Sequence, residues 1–231
     1  MADVFLSDVH LRLDFPERGN RLASFVETLA ATDRLWIVGD LCDFWMSSRQ
    51  RKVDPEQCPG LSALQRFQSR GGALAILVGN HDAWMAPEYA RWFGIGVTPE
   101  PLRMTCYGNR LVVSHGHRVK GKSWWKAAME SRAFLHAFAS TPAALAERLD
   151  QRLAASNERT RVQSEPRMIE EYRLNADQIA GCDIAIFGHV HRVHDDASRT
   201  PRLVVLGDWI EGWSYLRLDE FGAIHHAHSL T

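Results

Sequence analysis

The sequence predicts an α/β protein whose strands are covered on both faces by helices. Three observations predict it: apolar strand runs alternate with helix-compatible segments early in the chain, closely spaced strand runs fill its last part, and a stretch without strand runs separates the two.

In chain order, "DVFLSD" from Asp3, "RLWIVGD" from Arg34 and "ALAILVGN" from Ala73 are rich in β-branched and aromatic residues and end in polar or turn residues, as buried strands do. Between them, Arg21 to Ala31 and Leu61 to Arg70 carry apolar residues at three- and four-residue spacings, the mark of a helix with one buried face. "RLVVSHG" from Arg110, "IAIFGH" from Ile184, "RLVVLGD" from Arg202 and "SYLRLDEFG" from Ser214 continue the strand pattern and are expected to form an added meander. From about 121 to 178 the chain reads as helices. Thr141 and Pro142 supply an N-cap and a first-turn proline, after which Leu145, Leu149 and Leu153 share a face. No repeat or long linker marks a boundary, so residues 1–231 are expected to form one domain with this helical insertion as its cap.

Composition narrows the classes of function. With 231 residues, 45% of them hydrophobic, the chain can bury a full core without staples. Lys and Arg number 27 against 28 acidic residues, so no overall charge attracts nucleic acid, and a nucleic-acid partner is not expected. The insertion is the basic part: from Arg118 to Arg167, ten Lys or Arg stand against five Asp or Glu. Cys42, Cys58, Cys106 and Cys182 lie far apart with no C-x-x-C pair, which suits a reducing cytoplasm rather than a disulfide framework or a zinc ribbon. The start "MADVFLSDVH" enters a strand pattern at once, and no apolar run reaches the length of a membrane span, so a cytoplasmic protein is expected. Nothing in the sequence bears on oligomeric state.

The chemistry lies where the strands end. Asp8 and His10 in "SDVH", Asp40 and Asp43 in "VGDLCDFW", Asn80, His81 and Asp82 in "VGNHD", His115 and His117 in "SHGHR", and His189 and His191 in "FGHVHR" each close a strand run. The carboxyl ends of strands in open α/β sheets are where ligands bind, so these groups can meet. Any one of them alone is ordinary loop chemistry, a turn aspartate or a satisfied histidine. Five in this order supply more carboxylate, amide and imidazole donors than one ion needs, in a mixture that Mn, Fe or Zn accepts, and two divalent ions are the natural reading.

The ordered set D-x-H, G-D-x-x-D, G-N-H-D, H-G-H, G-H-x-H resembles the calcineurin-like metallophosphoesterase superfamily over nearly the whole chain. The resemblance implies a β-sandwich flanked by helices. It also implies that Asp8, His10 and His191 hold one metal, that Asn80, His115 and His189 hold the other, and that Asp40 bridges them. Ions roughly 3.5 to 4 Å apart share a hydroxide that attacks phosphorus in line while they neutralise the phosphoryl oxygens. His81 is then the group that contacts the phosphoryl moiety and assists the leaving oxygen, and Asp43 the carboxylate that orients it. His117 and Asp82 are not standard ligands of the superfamily and stay as supporting or structural candidates. Mn is the expected working metal, with Fe or Zn as alternatives.

Within the superfamily, "GDLCDFW", "GNHDAWM" and "VVLGDWIEGWSYLRLD" look like the UDP-2,3-diacylglucosamine diphosphatases of lipid A synthesis. That likeness implies cleavage of a lipid-linked nucleotide pyrophosphate to UMP and a lipid monophosphate. It also implies acyl chains lying on the helical insertion and a peripheral contact of that insertion with the inner membrane. Trp124, Trp125, Met129, Phe134, Leu135 and Phe138 supply apolar surface there, and Lys120, Lys122 and Lys126 supply cations for a diphosphate. Ser156, Asn157 and Arg161 are further candidate substrate contacts. The same stretch reads equally as a hairpin simply packed on the sheet. His81 stands where one branch of those enzymes has Arg, and His117 where it has Asp; acidic residues that follow there are replaced by Arg118, Lys120 and Lys122. Two alternatives therefore stay open: a phosphodiesterase or phosphatase for a soluble nucleotide or sugar phosphate, and a non-catalytic metal-binding scaffold.

Overall fold

The computed structural model describes residues 1–45, 47–119, 145, 148, 166–210 and 212–229. Among the described residues, ten strands form two five-stranded sheets. The first has the order β10 (Gly222–Ser229), β9 (Gly212–Asp219), β1 (Asp3–Leu6), β2 (Arg34–Val38) and β3 (Ala73–Leu77). The second has β4 (Leu102–Cys106), β5 (Asn109–Ser114), β6 (Ile184–Phe187), β8 (Arg202–Val205) and β7 (His194–Asp196).

Side-chain alternation along the strands builds three apolar layers. In the first sheet, Val4, Leu6, Leu35, Ile37, Leu74 and Ile76 face outward to α1 (Pro16–Thr28), α3 (Pro59–Ser69) and α4 (Ala86–Phe93). Phe5, Val38 and Leu77 face inward, against Leu111, Val113, Ile184, Ile186 and Val204 of the second sheet. The other face of that sheet offers Val112, Ala185, Phe187, Leu203 and Val205 to Tyr172 and Ala176 of a helix over residues 166–177. β1, β6 and β8 are thus buried on both sides, which is why their runs read as continuously apolar, whereas β9 alternates. Pro16 and Pro59 begin their helices where no intrahelical donor is needed.

The expected meander is corrected. β5, β6 and β8 run parallel, with β4 and β7 antiparallel at the edges, and β9 and β10 return as a hairpin to the first sheet. A meander requires short turns between consecutive strands, whereas the chain between β5 and β6 is long enough for a parallel crossover. All four cysteines are buried and free. No helix of the described residues is long and apolar enough to cross a membrane. Of the stretch from 121 to 178, only residues 145, 148 and 166–178 are described, so most of the insertion lies outside them.

One buried histidine far from the strand ends bears on stability. The His225 side chain is 4% exposed, and neither ring nitrogen has a hydrogen-bond partner; its nearest charge is the Asp195 carboxylate at 3.7 Å, which Arg202 already holds. Burial pushes the imidazole below its usual pKa although Asp195 and the Leu206 backbone favour its charged form, with Arg202 and His226 adding to the downward shift. The unfolded chain therefore binds the proton that the native state refuses. Stability from this group is present above about pH 6.5 and falls as pH drops through that value toward the folded pKa. Urea midpoints of metal-free protein at pH 7.5 and pH 5 should fall less on acidification in His225→Leu than in the parent; equal losses would remove His225 as a cause.

Candidate metal centre

Parallel strands within each sheet bring the polar groups to one place. Asp8 and His10 follow β1, Asp40 and Asp43 follow β2, Asn80 and His81 follow β3, His115 follows β5, and His189 and His191 follow β6. Backbone bonds tie these ends together: Asp8 N–H donates to Gly39 O at 3.1 Å, His10 N–H to Asp40 O at 2.9 Å, and Trp209 N–H to Asp8 O at 3.1 Å. His189 N–H donates to Asp8 Oδ2 at 2.9 Å and joins the two sheets.

The backbone is bent to aim the side chains inward. Asp8, His10, Asp40 and His189 all have positive φ, at 55°, 51°, 53° and 65°. Such conformations cost about 1–3 kcal/mol each and persist only where surroundings enforce them, as functional sites do. Space for them comes from glycine: a Cβ on Gly79 would lie 2.1 Å from Asp40 Oδ1, and one on Gly39 2.3 Å from His115 Nδ1.

Among the described residues, three sets of donor atoms converge within 4.8 Å: Asp8, His10 and His191; Asp40, His115 and His189; and His10, Asp40 and His81. His10 Nε2 and His191 Nε2 approach to 3.2 Å, with Asp8 Oδ1 3.7 and 3.5 Å from them. Asp40 Oδ2 lies 3.3 Å from His115 Nε2 and 3.9 Å from His10 Nε2, between two of the sets. Asn80 Oδ1 is 3.3 Å from the same His115 nitrogen. Asp8 Oδ1 and Asp40 Oδ2 are buried and accept no hydrogen bond. Buried oxygens left without donors, surrounded by imidazole nitrogens, fit a divalent cation, which would satisfy them all.

Ring orientation follows from the outer nitrogens. His115 Nδ1 donates to Val38 O at 2.8 Å, which leaves Nε2 as the inward donor atom, and His191 Nδ1 lies 3.0 Å from Asp208 Oδ2 with the same result. The electrostatics are those of a cluster whose charges balance each other. Burial raises the Asp8 and Asp40 carboxyls, but the imidazoles around them, His115 foremost, hold both well below the usual range. Burial likewise opposes charge on His115, yet Asp40 and Asp8 lift it to about 10, while burial and the neighbouring His115 push His189 down to about 3.

His81 sits beside this cluster on a separate carboxylate. Its N–H donates to Asp40 Oδ1 at 2.8 Å, and its Nδ1 lies 2.9 Å from Asp43 Oδ1. The Phe44 ring covers it at 3.9 Å between centroids. Asp82 points away from the cluster. Its carboxylate accepts from the N–H groups of Gly79, Asp40 and Leu41 and from Tyr89 Oη at 2.6 Å, so it ties the β2 and β3 loops together. The ring nitrogens of His117 are buried without hydrogen-bond partners, and its ring stands 5.3 Å from that of His115.

Two supporting residues escape a reading of the sequence. Asp208 ends "RLVVLGD" with the same G-D pattern as Asp40 and could have been found by that likeness. Glu100, which accepts from His115 N–H at 2.8 Å and Ser114 Oγ at 3.0 Å, carries no motif. Lys120, Lys122, Trp124, Ser156, Asn157 and Arg161 lie outside the described residues.

Comparisons with known proteins bear on the family and the fold. The calcineurin-like phosphoesterase family model matches residues 4–193. The chain is 26% identical to a UDP-2,3-diacylglucosamine hydrolase of Aeromonas salmonicida, over 94% of this chain and 89% of that protein. It is 29% identical to proteins of the same name from Stenotrophomonas maltophilia (96% of each chain) and Xanthomonas campestris pv. campestris (96% and 97%). Among solved structures, a hypothetical protein of Pyrococcus horikoshii OT3 matches the fold with a TM-score of 0.50 at 10% identity, over 100% of this chain and 88% of that one. The family match spans most of the chain, from β1 to the loop after β6, and the chain therefore belongs to the calcineurin-like phosphoesterases, hydrolases of phosphoester and pyrophosphate bonds.

Proposed function

We propose that the protein is a two-metal pyrophosphatase that cleaves UDP-2,3-diacylglucosamine to UMP and the acylated sugar monophosphate. The observation that carries the two-metal part is Asp40 Oδ2, buried, without a donor, and between two sets of ligand atoms. Asp8, His10 and His191 would hold one ion and Asn80, His115 and His189 the other, with Asp40 shared between the two sets. When bound, two divalent ions, Mn in our reading, lower the pKa of water and neutralise charge on the phosphoryl oxygens.

The remaining chemistry belongs to the chain. Asp43 accepts from Nδ1 of His81 and so fixes the ring with Nε2 free to act. As the imidazolium paired with the Asp43 carboxylate, His81 donates its Nε2 proton to the oxygen that leaves as the P–O bond breaks, while water adds to phosphorus from the opposite side and gives up its own proton to solvent. Phe44 against the ring restricts its rotation.

The substrate rests on the relatives named as UDP-2,3-diacylglucosamine hydrolases, matched at 26 to 29% identity over nearly the whole chain. Contacts to the diphosphate and sugar are assigned to Lys120, Lys122, Ser156, Asn157 and Arg161 of the insertion, and contacts to acyl chains to Trp124, from the sequence alone. An insertion that holds acyl chains would bring the protein to the membrane surface. A second reading, a phosphodiesterase for soluble substrates, is favoured by His81 and His117, which replace the Arg and Asp of one lipid A branch.

Purified protein with Mn should release UMP from the acylated UDP-sugar with a kcat/KM on the order of 100-fold or more above that for a UDP-sugar without long acyl chains, since a few buried methylenes suffice for that ratio. Efficient turnover of small nucleotide or sugar phosphates with the acylated substrate untouched would select the second reading.

A further inference from the structure

The loop after β1 places an arginine behind the Asp43–His81 pair. Arg12 donates Nε and Nη2 to the two oxygens of Asp14, at 2.9 and 2.8 Å, a bidentate pair that fixes the guanidinium plane. Its remaining branch, Nη1, donates to Asp43 Oδ2 at 3.3 Å. The other oxygen of that carboxylate, Oδ1, is 2.9 Å from His81 Nδ1 and 3.6 Å from His10 Nδ1. Arg18 stands behind the same oxygen as Arg12, 3.8 Å from Oδ2, and donates to His10 O at 2.9 Å. The Phe15 ring lies 5.3 Å from the Arg12 guanidinium and 5.6 Å from that of Arg18.

An aspartate carboxylate turns easily about its last bond, because that torsion is broad. Here one oxygen faces two imidazoles, and the guanidinium of Arg12, with that of Arg18 behind it, holds the other. We infer that Arg12 is a positioning residue for His81, acting through Asp43: anchored on Asp14, it holds Oδ2 so that Oδ1 stays on Nδ1 of His81. The inference rests on the proposed role of His81 as the group that protonates the leaving oxygen. A lysine could not replace Arg12, since a single ammonium cannot grip Asp14 in bidentate fashion and reach Asp43 at once. The loop itself does not depend on the side chain: Leu11 N–H donates to Leu41 O at 2.8 Å and Asp43 N–H to Leu11 O at 3.1 Å, so Arg12→Ala is expected to fold.

The test is a double-mutant cycle on the full Mn-loaded chain with diphenyl phosphate, whose basic phenolate leaving group calls for a proton, using Arg12→Ala, Asp43→Asn and the pair. Arg12→Ala should lower kcat on the order of tenfold with KM little changed, and should cost almost nothing in the Asp43→Asn background. Millimolar guanidinium should restore part of the loss in Arg12→Ala and none in Asp43→Asn, and Arg12→Lys should recover less than half. In metal-free protein, the downfield Nδ1–H proton signal of His81 should broaden or vanish in Arg12→Ala while the melting temperature holds. Equal cost of Arg12→Ala in both backgrounds, or an unchanged His81 signal, would overturn the inference. A parent protein inert toward every phosphoester would sink the proposed function instead, and the His81 signal would still decide whether Arg12 positions the ring.

Discussion

Replacing Asp40 by Asn should abolish the centre: activity should fall on the order of 10³-fold or more, and bound metal from two ions per chain to one or none. The size of the effect follows from position. Asp40 Oδ2 is the buried oxygen that faces both His115 and His10, and Oδ1 of the same group receives His81 N–H, so the residue touches both ligand sets and the catalytic loop. An amide matches the shape, yet it brings no charge and turns a donor toward one of the two sets. Metal content by atomic absorption, read beside the melting temperature in EDTA, separates loss of the centre from loss of the fold. A variant that keeps two ions and near-parental turnover would exclude the bridging role.

His81→Ala should lower kcat about 10²- to 10⁴-fold and leave metal content unchanged, because in our assignment the ring serves the leaving group. The loss should also depend on the substrate. A leaving oxygen of low pKa departs without a proton, so bis(p-nitrophenyl) phosphate should show the smaller effect and aryl diesters with more basic leaving groups the larger. A flat dependence on leaving-group pKa would assign His81 to electrostatic contact with the phosphoryl oxygens instead. Unaffected turnover would remove it from the reaction altogether.

The parts of the fold that were legible are those governed by burial. β1, β2, β5, β6 and β8 lie inside their sheets and β3 at an edge, but all six pack apolar side chains on both faces, and each appears in the sequence as an apolar run closed by a polar group. β4, β7 and β10 are edge strands, where "LRMTC", "HDD" and "GAIHHAHS" alternate or are wholly polar because only one face needs to be dry. α4 is eight residues long, too short for a period to emerge, although Tyr89, Trp92 and Phe93 bury one side of it. The expected meander fails for a related reason: strand runs show which segments are extended but not which of them pair, nor that β8 lies beside β6 with β7 outside it.

The candidate site divides in the same way. Asp8, His10, Asp40, Asn80, His115, His189 and His191 each end a strand, and the fold brings those ends together, so order along the chain was enough to suggest them. Glu100 and Arg12 act through side-chain contacts 15 and 31 residues away in sequence, to His115 and Asp43, and no spacing encodes such pairs. Asp82 shows the converse: it sits within "GNHD" among functional neighbours, yet the structure turns it to the backbone of its own loops.

The most direct test of the two-metal account is anomalous diffraction at the manganese edge from crystals grown with Mn. The account predicts two anomalous peaks roughly 3.5 to 4 Å apart, one on each side of the Asp40 carboxylate. A single peak, or ions bound away from Asp40, would contradict it.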